Sequence, residues 1–425
     1  MAKQLILDQL GVQLLGSTLE HVKPVKQLVE SMYAVPESTI TLGNTRTGAP
    51  MAAYVNGTFG HSCEYDDAHA LAWHTSSAVV PATLALAERE KASGESVIVA
   101  VACGVQVMSL LGSVTGGGMV RSGWHGSKVL GVFGAAAAAG KILNLTEDEL
   151  INAFGIGGSD AGGTMEYDQT GGEVKRLHAG SASRSGVEAA LLAKGGFTGP
   201  STIFEGKRGI FPLFGRTDDM QAFHKAWGHW HIMDTIFRFY PNVATVHSPL
   251  DAVRHLREHH NIDWREIQEI KIGLVDFAMG HGAEITRPTD AISAQFSLAF
   301  SVGLQFKTGK NAPQDYFKST YWSDPDILAI GDLIKPWAMP IPEGDPAFSS
   351  HVEIIMRDGS RYERYQRGFR GHPLTPATLH DIKDKFQTNV ASLVSAATAG
   401  AIIAQINDLE NISEIARLTD LLRKG

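Results

Sequence analysis

Carboxylates and imidazoles crowd one stretch of this sequence, where His61, Glu64, Asp66, Asp67, His69 and His74 fall within fourteen residues. Paired acids and histidines suit general acid–base work, because burial or a neighbouring charge can tune either type toward neutral pH. The competing use of Asp66 or Asp67 is to cap a helix beginning after the loop. A second candidate is His125, in the turn Gly123-Trp124-His125-Gly126-Ser127 ahead of an apolar helix. That helix N-terminus would attract an anion and add backbone donors. An isolated histidine can equally be structural.

The third stretch runs from Gly162-Gly163-Thr164-Met165-Glu166-Tyr167 to Lys175-Arg176-Leu177-His178-Ala179-Gly180. Two cations and a histidine in four residues, flanked by small residues that admit a ligand, make a carboxylate clamp, with a solvated basic turn as the bland alternative. The fourth is Arg238-Phe239-Tyr240-Pro241 followed by His247, at an expected domain boundary. A hinge histidine there could close over a substrate, or simply be buried.

Other chemistries find less support. His229 and His231 form an H-x-H pair, but no HExxH or Cys/His quartet accompanies them, so no metal site is expected. Gly155-Ile156-Gly157-Gly158 lacks the third glycine of a dinucleotide loop, and no strand precedes it. Neither a Gly-x-Ser-x-Gly elbow nor a Walker loop is present. With two cysteines, Cys63 and Cys103, the chain alone cannot ligate an iron–sulfur cluster or build a disulfide framework.

The elements that must hold these residues are mostly helical. From Thr83 to about Pro200 the sequence is rich in Ala, Leu and Gly, and helices are expected over Pro81–Ala92, Val97–Leu111 and Leu130–Leu143. Thr146 with Glu149 is a capping-box pattern, starting a helix that runs through Phe154. Val97–Val120 is uncharged over a length that could span a bilayer; its polar residues and the triplet Gly116-Gly117-Gly118 favour a buried helix ending in a glycine loop. After Pro241 the texture changes. Ile270, Ile272 and Leu274 alternate, His351–Arg357 reads as a strand, Asp358-Gly359 as a turn, and Arg361–Tyr365 as the hairpin partner. A helix over Ala291–Phe306 lies among these strands, and helices return over Pro376–Phe386 and Val390–Ile406.

The expected fold is therefore mainly α: a discontinuous helical domain from residues 1–240 and 376–425, and an inserted smaller α+β domain over 241–375. At 425 residues and 44% apolar content, the chain exceeds the size at which one core stops growing. A formal charge of -8 and no long run of Lys or Arg argue against nucleic-acid or membrane partners. The first residues, carrying Lys3 and Asp8, lack a signal-peptide pattern, so a cytoplasmic location is expected.

These four stretches, in this order, resemble the MmgE/PrpD family, which includes 2-methylcitrate dehydratase, cis-aconitate decarboxylase and iminodisuccinate epimerase. The matching blocks are Asn56-Gly57, His61, Glu64-Tyr65-Asp66-Asp67 and His74-Thr75-Ser76; Trp124-His125 before Ala135–Ala139; Lys175–Gly180; and Arg238–Pro241 with His247. The resemblance covers nearly the whole chain. It implies an enzyme with a helical domain plus a lid domain, a homodimer, and no metal or organic cofactor. It places site residues at Glu64, Ala68, His74, His125, Lys175 and His247. Glu64 stands where the family has Asp. Ala68 stands where its decarboxylases have Thr, which points away from itaconate-forming decarboxylation, while Thr75 and Asn242-Val243 stand where its dehydratases have Pro and a Cys pair.

The expected activity is that of a lyase removing water from a 2-methylcitrate-like hydroxy-polycarboxylate, by proton abstraction next to a carboxylate. An epimerase of a dicarboxylate such as iminodisuccinate is the alternative, with an aconitate-type decarboxylase behind it. Lys175 and His178 would clamp the carboxylate, with Arg176, His69 and Tyr167 also against the substrate. Of His74 and His125, one would be base and the other acid, with Glu64 or Asp67 orienting an imidazole and His247 joining from the lid.

Overall fold

The computed structural model describes residues 1–32, 34–167, 172–217 and 220–424. The chain forms two compact units, one of Met1–Thr235 with Thr378–Gly425, the other of Ile236–Ala377. The fold is mainly α with a small α+β portion.

In the first unit, α1 (Ala2–Gly16), α2 (Ala49–His61), α3 (Ser76–Arg89), α4 (Gly94–Arg121), α5 (Gly131–Ile142), α6 (Glu147–Gly157) and α7 (Val174–Lys194) carry the core. Helix α7 packs against α2, α3, α5 and α6. Its crossing with α2 requires glycine on both sides. A Cβ on Gly57 would lie 2.8 Å from the Gly180 Cα, and one on Gly180 would overlap the Tyr54 carbonyl and the Thr58 hydroxyl. The two backbones therefore meet at a distance no larger side chain permits.

Helix α3 starts earlier than expected, at Ser76, and keeps Pro81 in its interior. Proline has no N–H to offer the carbonyl four residues back. The Ser183 hydroxyl of α7 bonds the Ala78 carbonyl and reaches the Ser77 carbonyl at 3.5 Å. The capping box of α6 forms both of its bonds, Thr146 N–H to Glu149 Oε2 at 2.8 Å and Glu149 N–H to Thr146 Oγ1 at 3.3 Å. Helix α4 departs from expectation: Gly116, Gly117 and Gly118 lie inside it, because a Cβ on Gly118 would overlap the Gly215 carbonyl. The glycines admit a neighbouring backbone rather than end the helix. By length and composition α4 could cross a membrane, yet 56% of its most apolar window is buried within the protein.

The second unit holds α8 (His247–His259), β1 (Ile267–Leu274), α9 (Leu298–Thr308), β2 (Ile334–Ala338), β3 (Ser350–Met356) and β4 (Arg361–Gln366). The sheet order is β2-β1-β3-β4, with β1 parallel to β2 and antiparallel to β3, and β3 antiparallel to β4. Ile270 pairs with Ile354 on one side and Ile334 on the other. Along β3 the residues Ser350, Val352, Ile354 and Met356 are buried in alternation, facing a core that includes Leu250, Val253 and Val302. The hairpin turns at Asp358-Gly359, where Gly359 has φ +88 and the Asp358 carboxylate accepts from Ser360 N–H at 2.9 Å.

The expected single helix over Ala291–Phe306 is two. A first piece ends at Gln295, and the Ser297 hydroxyl then accepts from Phe300 N–H at 3.0 Å to cap α9. The chain returns to the first unit as α10 (Leu379–Val390) and α11 (Ala396–Asn407). Helix α10 packs on α1, where Lys385 Nζ lies 2.7 Å from the Asp8 carboxylate, both buried.

Candidate active site

Five segments of the first unit contribute to one cluster. Helix α2 ends at His61, and the loop after it supplies Glu64, Asp66, Asp67 and His74. The turn before residue 126 supplies His125, the segment before α7 supplies Tyr167, and the N-terminal end of α7 supplies Lys175 and His178. The Gly57–Gly180 crossing sets this register, since it lies one helical turn before His61 and two residues after His178. Lys175 and His178, three apart, share a face of α7.

The imidazole rings adjoin one another. Centroids are 4.7 Å apart for His61 and His74, 5.9 Å for His61 and His125, 6.3 Å for His74 and His125, and 5.1 Å for His125 and His178. Tyr167 stands edge-on to His125 at 5.7 Å and to His178 at 5.8 Å. The Lys175 ammonium pairs with Glu64, which holds a left-handed backbone at φ +52, and both are buried. Such a conformation in a non-glycine residue is uncommon and is held here by its surroundings.

Hydrogen-bond partners assign the tautomers. His61 Nδ1 lies 2.8 Å from Asp66 Oδ2, so its proton belongs on Nδ1. His74 Nδ1 donates to the Asp67 carbonyl at 2.8 Å, with Asp66 Oδ2 at 3.6 Å, which leaves the lone pair on Nε2. His125 and His178 meet through their Nδ1 atoms at 2.9 Å. When both rings are neutral, one Nδ1 donates and the other accepts, so the pair carries one Nε2 with a proton and one without. Neutrality is enforced. Burial, then Lys175 and neighbouring imidazoles, hold His125 well below the usual histidine range. Burial, then His61, Lys128 and Lys175, bring His178 down to about 4.

Several expected site residues have other employment. The Asp67 carboxylate accepts from Thr75 N–H at 3.1 Å, Ser76 N–H at 2.9 Å and both hydroxyls at 2.6 Å, anchoring the start of α3. It orients His74 through its carbonyl instead, while Asp66 supplies the carboxylate near the imidazoles. Burial, then Asp66, raise the Asp67 pKa. Arg176 turns away from Lys175, donating to the Ser62 carbonyl at 2.8 Å and pairing with Glu173, and so holds the end of α2. His69 is not among the clustered rings: its Nε2 donates to the His231 carbonyl at 2.9 Å and its Nδ1 accepts from Leu71 N–H at 3.2 Å. It belongs with His231 and Asp234. His247 lies in the second unit, buried, with Nε2 at 3.1 Å from the Asn242 carbonyl and its ring against Tyr240 and Phe369.

His61 and Asp66 are the residues that sequence reasoning left out of the site. Both fall in the acid- and histidine-rich stretch, but their pairing spans a helix end that spacing does not reveal. The arrangement as a whole offers imidazoles able to give and take protons, beside one buried cation that could stabilise a carboxylate gaining charge.

Residues 1–222 match the model of the MmgE/PrpD N-terminal domain, and residues 240–411 that of the MmgE/PrpD C-terminal domain. The chain is 30% identical over 452 residues to a cis-aconitate decarboxylase of Aspergillus terreus, covering 99% of this chain and 91% of the relative. It is 27% identical over 440 residues to the cis-aconitate decarboxylase of Homo sapiens, covering 99% and 89%.

Proposed function

We propose, since the chain belongs to the MmgE/PrpD family, that it is a cofactor-independent hydro-lyase acting on a 2-methylcitrate-like hydroxy-polycarboxylate. The observation that carries this reading is the Nδ1-to-Nδ1 contact of His125 and His178 beside Lys175 and His74. Dehydration needs a base for the proton next to a carboxylate and an acid for the departing hydroxyl, and these neutral rings supply both.

In the proposed cycle His74 Nε2, with its proton held on Nδ1 by the Asp67 carbonyl, takes the proton from the carbon next to the substrate carboxylate. The electron pair moves into the carboxylate, where Lys175 offsets the new charge. His178 donates to His125 Nδ1, so the His125 Nε2–H hydrogen-bonds the hydroxyl as the C–O bond breaks. The proton that turns the departing hydroxide into water comes from the His74 imidazolium, so water and an alkene leave and both rings end neutral.

A second reading, decarboxylation of an unsaturated tricarboxylate, draws support from the names of the relatives. Epimerisation of a dicarboxylate would use the same carbanion with reprotonation from the opposite face. Turnover of chelator-treated protein against 2-methylcitrate, citrate, cis-aconitate and iminodisuccinate separates the three. Alkene formation from a hydroxy acid supports the hydro-lyase, carbon dioxide release from cis-aconitate replaces it with the decarboxylase, and deuterium wash-in without alkene replaces it with the epimerase. A homodimer is part of the same proposal, with the exposed Leu213, Trp227, Trp230 and Met233 offering apolar area for it. Light scattering that gives the mass of one chain would remove it.

A further inference from the structure

We propose that His61, His74 and His125 also form a binding site for a zinc-class divalent cation, and that the bound ion blocks the reaction centre. Each of the three offers a ligand atom, and these atoms lie within 4.8 Å of one another. Three imidazoles with an open fourth position are a common donor set for zinc, cobalt or nickel.

A second observation points the same way. His61 is fully buried, and its Nε2 has no hydrogen-bond partner among the described residues. Since Nδ1 holds the proton toward Asp66, Nε2 carries a buried lone pair facing no donor. Leaving a buried polar atom in that state is unfavourable, and coordination to a cation would satisfy it. The outer contacts also fit. Metal-bound histidines hand their other nitrogen to a carboxylate or carbonyl, as His61 does to Asp66 and His74 to the Asp67 carbonyl. Asp66 adds negative charge behind two of the ligands, and Glu64 neutralises the nearby Lys175.

The other histidine group provides the contrast. His69, His231 and Asp234 also gather ligand atoms within 4.8 Å. There, however, both nitrogens of His69 and both of His231 are engaged by Leu71 N–H, the His231 and Ala226 carbonyls and Asp234. A metal would have to break those bonds, whereas His61 Nε2 has no hydrogen bond to lose and His125 turns an Nε2 lone pair to the metal once its Nδ1 donates to His178, so the first cluster is the site.

The inhibitory half rests on the proposed lyase reading, since a nitrogen bonded to a metal cannot take the substrate proton. The binding half does not depend on it. Titration of the chelator-treated protein with cobalt(II) is expected to give the visible spectrum of a tetrahedral centre at one equivalent per chain, displaced by zinc. Asp66→Asn should weaken binding about 10–100-fold and His61→Gln should abolish the spectrum, with circular dichroism verifying that both variants are folded. His231→Ala should leave it unchanged. Absence of a stoichiometric spectrum, or its loss in His231→Ala instead, overturns the site. Zinc that raises turnover, where a substrate is found, overturns the blocking role. Failure of every substrate in the turnover panel leaves the cobalt result untouched.

Discussion

Lys175, buried beside His125 and His178, raises the cost of protonating either ring, and that is the condition a neutral acid–base pair needs. Lys175 is itself tolerable because Glu64 compensates it. The double substitution Lys175→Gln with Glu64→Gln removes both charges together, which in buried pairs is often nearly neutral for stability. Turnover should nevertheless fall about 10²–10³-fold, the loss typical when one preorganised donor to a developing charge is removed. Steady-state kinetics beside urea melts test this; an unchanged kcat would dismiss the clamp.

The same burial predicts an acid-sensitive fold. His178 has a folded pKa of about 4, against an ordinary value of 6.5, so between those values the unfolded chain binds more protons than the folded one. Its contribution is complete above pH 6.5 and is lost as pH falls toward 4, on the order of 3 kcal/mol in full. Lowering the pH from about 7 to about 5 should therefore cut the unfolding free energy, and His178→Gln should flatten that slope. An identical slope in the variant would place the acid sensitivity elsewhere. At this scale the sequence was informative about residue types and poor about partners: adjacent Asp66 and Asp67 look interchangeable in print, yet one faces imidazoles and the other anchors a helix.

Elements hold these side chains in register, and the crossing of α2 with α7 is the tightest constraint. Gly180→Ala places a methyl group against the Tyr54 carbonyl and the Thr58 hydroxyl, so the helices must separate. A cost of about 1–3 kcal/mol is expected from such overpacking. Activity should fall further than stability explains, because His61 is carried by one helix and Lys175 by the other. A variant that loses stability but keeps kcat per folded molecule would show that the crossing does not position the site. Local signals made some elements readable in advance. Thr146 and Glu149 announce a helix start, and the alternation of Ile270, Ile272 and Leu274 announces a strand. Others had no local signal. Strand β2 reads Ile-Lys-Pro-Trp-Ala, where the proline and the lack of alternation hide an edge strand, and Ser297, one of several polar residues in its stretch, divides two helices only through its side-chain cap.

At the scale of the molecule, the chain leaves the first unit after Thr235 and returns at Thr378, so the first unit is complete only when α10 is docked. The bond that holds α10 is charged and buried. Burial outweighs the Lys385 attraction and lifts the Asp8 carboxyl to about 6, and Lys385 Nζ also donates to the Tyr65 carbonyl at 2.8 Å, between Glu64 and Asp66. One side chain thus ties the return of the chain to its first helix and to the loop carrying the candidate site. Lys385→Met should cost about 3–5 kcal/mol near neutral pH, as breaking one side of a buried pair does. The deficit should shrink as pH falls and Asp8 becomes protonated, since an uncharged carboxyl no longer needs its counter-ion. Hydrogen exchange provides the spatial test: in the variant, protection should drop in α1, α10 and residues 62–75, while the strands of the second unit keep theirs. Equal loss in both units would mean that they unfold as one, and that the returning helix secures the whole chain rather than the unit it completes.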